Sequence, residues 1–301
     1  MASIHRTSNW PHHTTLRDID MVVFHEWEER PSVGRQVFTV KESSQYQEDT
    51  LTAGGIGIME QLQEGEALSY VATNEGFRQT FTHLDYGNAF RVTRRMLRED
   101  LYGTMEELAV ELSGAASATE ETLLANHFNR AFNSSYTGPD GLELCSTAHL
   151  RENGGTYANE LSTSADLSQT SLEQALIDFA DFRTGGGRRL VIEPETLLIP
   201  PDLRFVAHRL LASTLQSSDS TNAVNAIQGL LNPMVWYYLT NSDDWFVLAS
   251  KSNHKMCLYD RESFWTDYEY DFDSKDYKIS GMFAQSSGWA DPRGVFGSPG
   301  S

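Results

Sequence analysis

Cysteine is nearly absent: Cys145 and Cys257 are the only two in 301 residues. A disulfide-stapled secreted scaffold is therefore excluded, and two free thiols in a reducing compartment are expected. Basic residues are scarce as well. Lys and Arg number 23 against 42 Asp and Glu, for a formal net charge of −19. A protein that grips nucleic acid by counterion release needs a basic face. This chain offers only short runs such as Arg94-Arg95 and Arg188-Arg189, so its surface is expected to avoid DNA rather than hold it. Long hydrophobic runs are missing too. No stretch approaches about 18 apolar residues, so no membrane span is expected. "MASIHRTSNWPHH" has no basic region followed by an apolar core, so no secretory signal is expected. Internal repeats and low-complexity tracts are also lacking. What remains is 40% hydrophobic and 22% charged, the balance of a soluble globular protein. The length suits one large domain or two modest ones.

The chain changes character along its length. Residues 1–35 are polar, with few periodic apolar positions, and read as an extended arm that needs a neighbour to order it. Residues 36–92 read as strands. Thr, Val, Tyr and Phe recur between polar residues, and "AGG", "EGE" and "NEG" punctuate them. Such a projecting hairpin region has too few large apolar residues for a core of its own. Over 95–133 the period becomes helical through Leu101, Met105, Leu108, Leu112, Ala116, Leu123, Leu124, Phe128 and Phe132. A helix of about 35 residues would be about 50 Å long, a spine across the molecule. An α/β mixture follows "NSSYTGPDG". A helix over "SQTSLEQALIDFADFRTGGG" is expected to carry a Ser171–Gln174 capping box and to end at the glycines. "RRLVIEPETLLIPPDLRFVAHRLLAS" gives a strand, a proline stop and a helix from Asp202. "NPMVWYYLTNSDDWFVLAS" gives two strands around a turn at Asn241–Asp244, and "KMCLYD" gives another. The tail reads as a hairpin turning at Asp273–Asp276 with an irregular finish.

Candidate chemistry is thin. In "DGLELCSTAHL" a thiol, Cys145, precedes an imidazole, His149, by four residues. Nucleophilic catalysis asks for such a pair. On a strand or loop, however, the two would lie some 13 Å apart along the chain. The glycines and prolines nearby argue against the helix that would stack them, so a structural loop is expected. His12, His13 and the pair His25-Glu26 lack the spacing of a zinc enzyme. Asp267, Glu269 and Asp271 alternate with Tyr268, Tyr270 and Phe272. Paired carboxylates suggest glycoside hydrolysis, but alternation with acids on one face and aromatics on the other is what a half-buried strand shows, and a solvated strand and turn is the expected reading. "DFDSKD" lacks the glycine and glutamate of a calcium loop. "GGIG" at 54–57 lacks the lysine and spacing of a phosphate loop, and "GGGRR" from 185 reads as a helix terminator. Trp236, Tyr237, Tyr238 and Trp245 have no basic neighbours and read as core or interface residues rather than a base-stacking platform. No catalytic residue, cofactor or metal is assigned.

What survives is an order of parts: arm, projecting hairpin, spine helix, compact mixed domain, final hairpin. That order resembles the major capsid proteins of tailed bacteriophages, the fold shared with encapsulins and the floor of herpesvirus shells. Three stretches bring it near the Mu-like major head subunit family: "DGLELCSTAH", "RRLVIEPETLLIPPDLRFVAHRLLAS", and the tail from "DWFVLAS" to "GVFGS". The similarity runs over roughly residues 85–298.

The resemblance implies an α+β fold with residues 1–35 as N-terminal arm and 36–88 as an extended loop overlying the adjacent subunit. Residues 89–135 and 255–301 would form the peripheral domain with the spine helix, and 136–254 the axial domain. It implies a non-enzymatic subunit that assembles with itself, as hexamers and pentamers, into an icosahedral shell around double-stranded DNA. Portal, a separate scaffold, a maturation protease and decoration proteins would be its partners. It would reside in the virion, and in host cytoplasm during assembly, without a membrane. An encapsulin-type shell around protein cargo, or a hydrolase using Cys145 or the tail carboxylates, are the competing readings. No lysine–asparagine crosslink is carried over; Lys41 sits near the loop's base without marking one. In relatives an aromatic is expected where this chain has Cys145, so the thiol is expected to be buried and inert.

Overall fold

The structure is a computed structural model that describes residues 27, 30–59, 61–68, 70, 75–99, 104–214 and 224–301. The calls on His12, His13, His25 and Glu26 lie outside the described residues. The described elements follow in chain order. Helix α1 spans Val33–Val37, and strands β1 to β4 span Thr39–Glu42, Gln47–Ala53, Glu75–Thr82 and Leu84–Val92. Helices α2 (Arg94–Glu99) and α3 (Thr104–Asn129) come next, then short strands β5 (His149–Leu150) and β6 (Thr156–Tyr157). Helix α4 (Gln169–Ala180), β7 (Pro194–Ile199), α5 (Arg204–Ala212), β8 (Asn232–Val235) and β9 (Trp245–Ala249) follow. The chain finishes with β10 (Met256–Tyr270), β11 (Tyr277–Trp289) and β12 (Val295–Ser298).

The spine helix is α3. Its 26 residues make it about 39 Å long. The predicted helix over 95–133 also takes in α2 ahead of it, and Leu101 of that stretch lies outside the described residues. One stripe of α3 runs between two cores. Ala109, Leu112 and Ala116 pack with Val92, Phe264, Ile279 and Phe283. Leu124, Ala125 and Phe128 pack with Phe38, Trp236, Phe246 and Leu258. The spacing of three and four residues puts both groups on one face.

The first sheet has strand order β1-β10-β11-β4. β1 lies parallel to β10, and β10, β11 and β4 are antiparallel. The predicted final hairpin is there, pairing from Met256↔Trp289 to Tyr270↔Tyr277. Gly281 of β11 lets Phe264 approach: a Cβ there would lie 2.7 Å from the ring's Cζ. The far end of this hairpin is the solvated strand and turn expected from sequence, with Tyr268, Tyr270 and Phe272 exposed like Asp267 and Glu269 beside them.

The second sheet has order β12-β9-β7-β8. β9, "WFVLA", is buried at every position. Alternate residues face two different cores: Phe246 and Leu248 meet the spine helix, while Trp245 and Val247 meet Leu172, Ala175 and Phe179 of α4. A strand covered on both faces has no reason to alternate.

Three local expectations are corrected here. The "NPMVWYYLTNSDDWFVLAS" strands do not form a hairpin, because β7 lies between β8 and β9. The capping box of α4 is Ser168 with Ser171, each side chain receiving the other's backbone N–H. The tail is not irregular at its end: β12 pairs with β9 from Val295↔Leu248 to Ser298↔Trp245. Residues 295–298 therefore belong to the second sheet, not with the rest of 255–301. Similarly, β1 and β4 are built into the first sheet, so the separate two-stranded extension is β2 and β3 with the described residues between them.

Candidate assembly interface

The extension carries several large apolar side chains that its own subunit leaves open, as does the far end of the β10–β11 hairpin at Tyr268, Tyr270 and Phe272. Thr, Leu and Phe alternate on β2 and β3, and Arg78 pairs with Asp49 across them. Beyond Ala53 the strands separate. Ile58 is 81% exposed, Met59 92%, Leu68 72% and Tyr70 100%, with Ile56 and Leu62 also open. Scattered exposed apolar residues need no explanation, but a contiguous group marks a contact surface.

The base of the extension is anchored. Phe81 of β3 is buried against Tyr259, ring centroids 5.1 Å apart. His83 bridges Ser43 and Ser286, each at 3.1 Å. Burial holds the His83 ring below its ordinary pKa, favouring the neutral form.

A second built feature ties the arm to the spine. Ser32 caps α1 by accepting from the Arg35 N–H at 2.9 Å and donates to Glu121 Oε1. Glu121 is buried on α3 and also accepts from the Gly34 N–H at 3.1 Å and Trp236 Nε1–H at 2.5 Å. Beside it, Glu120 receives Arg35 in a two-pronged pair at 2.6 and 2.7 Å. Arg35 reaches on to Asp260 at 3.2 Å. The hydrogen bond to Glu120 raises its pKa above the usual arginine value. Two adjacent buried glutamates thus join arm, spine, first sheet and the Trp236 loop. Sequence reading missed them, because "EE" within a helix looks like solvated surface.

Cys145 and His149 do not form a reactive pair, as expected. Cys145 is fully buried, its backbone N–H donating to Ala131 O at 2.9 Å. Burial pushes the thiol pKa well up, away from the thiolate a nucleophile needs. His149 is buried too, but its Nδ1 faces Asp140 Oδ2 at 2.6 Å and its Nε2 lies 3.3 Å from Leu144 O. Its ring stacks on Tyr157. The expected structural loop is what is found, pinned further by buried Asn159, which bonds Ser146 N, Leu144 O and Val295 O.

The other candidates are dispersed in the same way. Asp267 and Glu269 are exposed on β10. Asp271 accepts from the Asp273 N–H in the hairpin turn, and those bonds lower its pKa. No cluster of metal-ligating side chains occurs among the described residues. Trp236 and Trp245 are core, whereas Tyr237 is exposed. The "GGG" run does not terminate α4, which ends at Ala180. It forms the tip of a tight turn in which the Gly187 N–H donates to Thr184 O and the Thr184 N–H to Arg188 O, each at 2.8 Å. One pair was missed: His127 Nε2 lies 2.8 Å from Ser287 Oγ beside a cleft of about 380 Å³. Burial lowers the His127 pKa to about 4. An imidazole so reluctant to take a proton is a poor general base.

A family model described as phage capsid protein matches residues 76–297. The chain belongs to the phage capsid protein family. It is a structural shell protein and not an enzyme. Solved structures agree on the fold. The capsid of cyanophage P-SCSP1u superposes with a TM-score of 0.61 at 10% identity, over 90% of this chain and 88% of that one. The capsid of bacteriophage JBD30 gives 0.57 at 16% identity, over 70% and 92%. A virus-like particle from Pyrococcus furiosus gives 0.56 at 9% identity, over 94% and 98%. No curated protein sequence matches the chain. The tailed-phage capsid fold expected from sequence is thus confirmed, while the narrower Mu-like grouping is not. No described helix is long and apolar enough to cross a membrane.

Proposed function

We propose that this shell protein is the major head subunit of a tailed phage, assembling as hexamers and pentamers into an icosahedral shell around packaged double-stranded DNA. The observation that carries the mode of assembly is the open apolar extension. Ile58, Met59 and Leu68 contribute about 1.5–3 kcal/mol each when buried, and the subunit's own cores leave them in water. Laying the extension on an adjacent subunit is the arrangement that recovers this energy. The first sheet with α3 acts as the peripheral domain. The second sheet with α4 and α5 acts as the axial domain, with β12 returning to it. Residues 1–35 serve as the arm.

The charge sets a second condition. Subunits carrying −19 each repel over about 8 Å at physiological salt. Apolar burial and complementary pairs must outweigh that repulsion at every contact. The same acidity suits a lining along which packaged DNA slides. Portal, a separate scaffold, a maturation protease and decoration proteins are the partners this role calls for, with assembly in host cytoplasm.

Negative-stain microscopy of the purified protein tests the reading. Closed shells or ring-shaped capsomers are expected. A monomer that stays monodisperse at high concentration, with and without co-expressed phage proteins, overturns it. Particles from infected cells that hold protein cargo and no DNA would favour the encapsulin-type alternative.

A further inference from the structure

The extension does not simply project. Just past β2 it folds back onto its own subunit, against two turns. In the first, the Arg151 N–H donates to Gly155 O and the Gly154 N–H to Arg151 O, each at 3.0 Å. The second is the Thr184–Gly187 turn. The Asn153 side chain donates from Nδ2 to Gly55 O at 3.1 Å. Gly55 and Ile56 lie against Gly186.

Gly186 is informative. Its neighbour Gly187 has φ +82° and needs glycine for its own backbone. Gly186 has no such φ, so its turn would accept a side chain. What would not accept one is the parked segment. A Cβ on Gly186 would lie 2.5 Å from Gly55 O and 2.7 Å from Ile56 O, backbone atoms with no flexible end to give way. The small residue is therefore matched to the approach of the extension, not to the turn.

The surface receiving it is rigid. Arg293 has only 9% of its side chain exposed and grips Asp291 at 2.8 Å. It also pairs with Glu152 beside Asn153, and donates to Arg183 O, at the start of the second turn, at 3.2 Å. Its guanidinium sits over the Tyr157 ring. One buried cation thus fastens both turns in the spacing that the segment meets. The hold on the segment is nevertheless slight. The one hydrogen bond described across it comes from exposed Asn153, and Thr184 Oγ1, close by Gly55, is buried without a partner. Meanwhile Ile58 and Met59, directly beyond, stay exposed.

We propose that these two turns are a catch that parks the extension on its own subunit and must release it before the apolar tip reaches a neighbouring copy. The catch is a brake on premature assembly, resting on the role of the extension proposed above. A firm grip would trap the subunit. One hydrogen bond and a glycine-on-glycine contact are weak enough for a neighbour offering apolar burial to win.

Two variants test it, Gly186→Ala, which evicts the segment, and Asn153→Ala, which removes its hydrogen bond. Hydrogen exchange of residues 51–57 is read first, on the full-length free subunit below its assembly concentration. Exchange there is expected to quicken about two- to tenfold in Asn153→Ala, the weight of one hydrogen bond, and more in Gly186→Ala, while α3 and β9 keep their protection. Unchanged exchange overturns the catch, whether or not shells form. Assembly is then followed by light scattering. A lower threshold concentration in both variants supports the brake. An unchanged or raised threshold overturns it, the raised case meaning that the turns receive a neighbour's extension in the shell. Should the wild-type protein never assemble, the proposed role of the extension fails while the exchange result still judges the catch.

Discussion

Replacing Glu121 with alanine tests how the arm is joined to the spine. The carboxylate accepts from Ser32 Oγ–H, the Gly34 N–H and Trp236 Nε1–H, and Glu121 and Trp236 are both buried. Alanine leaves the indole and amide donors without partners in a space closed to water. Each such donor costs about 1–3 kcal/mol, so the loss should be about 2–6 kcal/mol. That is a large part of a typical domain's 5–15 kcal/mol. Urea unfolding of the free subunit, followed by tryptophan fluorescence, measures it. A second variant separates the donor penalty from the cavity left by the side chain. Trp236→Phe removes the N–H and keeps most of the ring's edge-on packing against Phe128. In that background Glu121→Ala should cost about 1–3 kcal/mol less than in the wild type, a coupling seen as non-additivity in the double-mutant cycle. Equal costs in the two backgrounds, or a loss below about 1 kcal/mol, would refute the claim that the carboxylate is there to satisfy these donors.

Further outcomes are expected elsewhere. Ile58→Asp with Met59→Asp should leave the midpoint of thermal unfolding unchanged and abolish shells in the microscope; normal particles would remove the tip from the interface. Cys145 should resist iodoacetamide in the native subunit and react once urea exposes it, whereas rapid native labelling would reopen a catalytic reading. The pH dependence follows from burial. His127 and His254 are both lowered to about 4, so the unfolded chain takes up their protons first and stability should fall as pH drops from 6.5 towards 4. Asp244 runs the other way: burial raises its pKa to about 6, so it favours folding below pH 4 and that contribution is lost as pH rises through 6. Asp244→Asn should therefore raise the midpoint of unfolding at pH 7, by a margin that vanishes near pH 4; a margin independent of pH would contradict the assignment. Finally, free subunits should not shift double-stranded DNA in a gel at moderate salt, as tight binding would conflict with the charge of −19.

Much of this molecule was written locally. The change from strand to helical period marks α3, because its apolar residues recur every three or four positions along one buried stripe. The hairpin turn after Tyr270 was readable from "DFDSKD", where Asp271 folds the chain by accepting nearby N–H groups. The burial of Cys145 was expected from the family resemblance, which implies an aromatic at that position. Other features had no local signature. "WFVLA" and "VFGS" are apolar runs, and nothing in either says that they pair with each other. Nothing near residue 194 says that β7 will part β8 from β9. Tyr268 and Tyr270 alternate with carboxylates and are exposed, because alternation alone does not say whether another layer will cover either face. Glu120 and Glu121 look solvated until Ser32 and Arg35 of α1 and Trp236 arrive from two other parts of the chain. Periodicity and turn chemistry are properties of neighbours in sequence, so the sequence alone determined the kinds of element, their order and the shortage of positive charge. Strand order, burial at the ends of elements and partners for buried charges depend on residues far apart along the chain, and only the tertiary structure decided them.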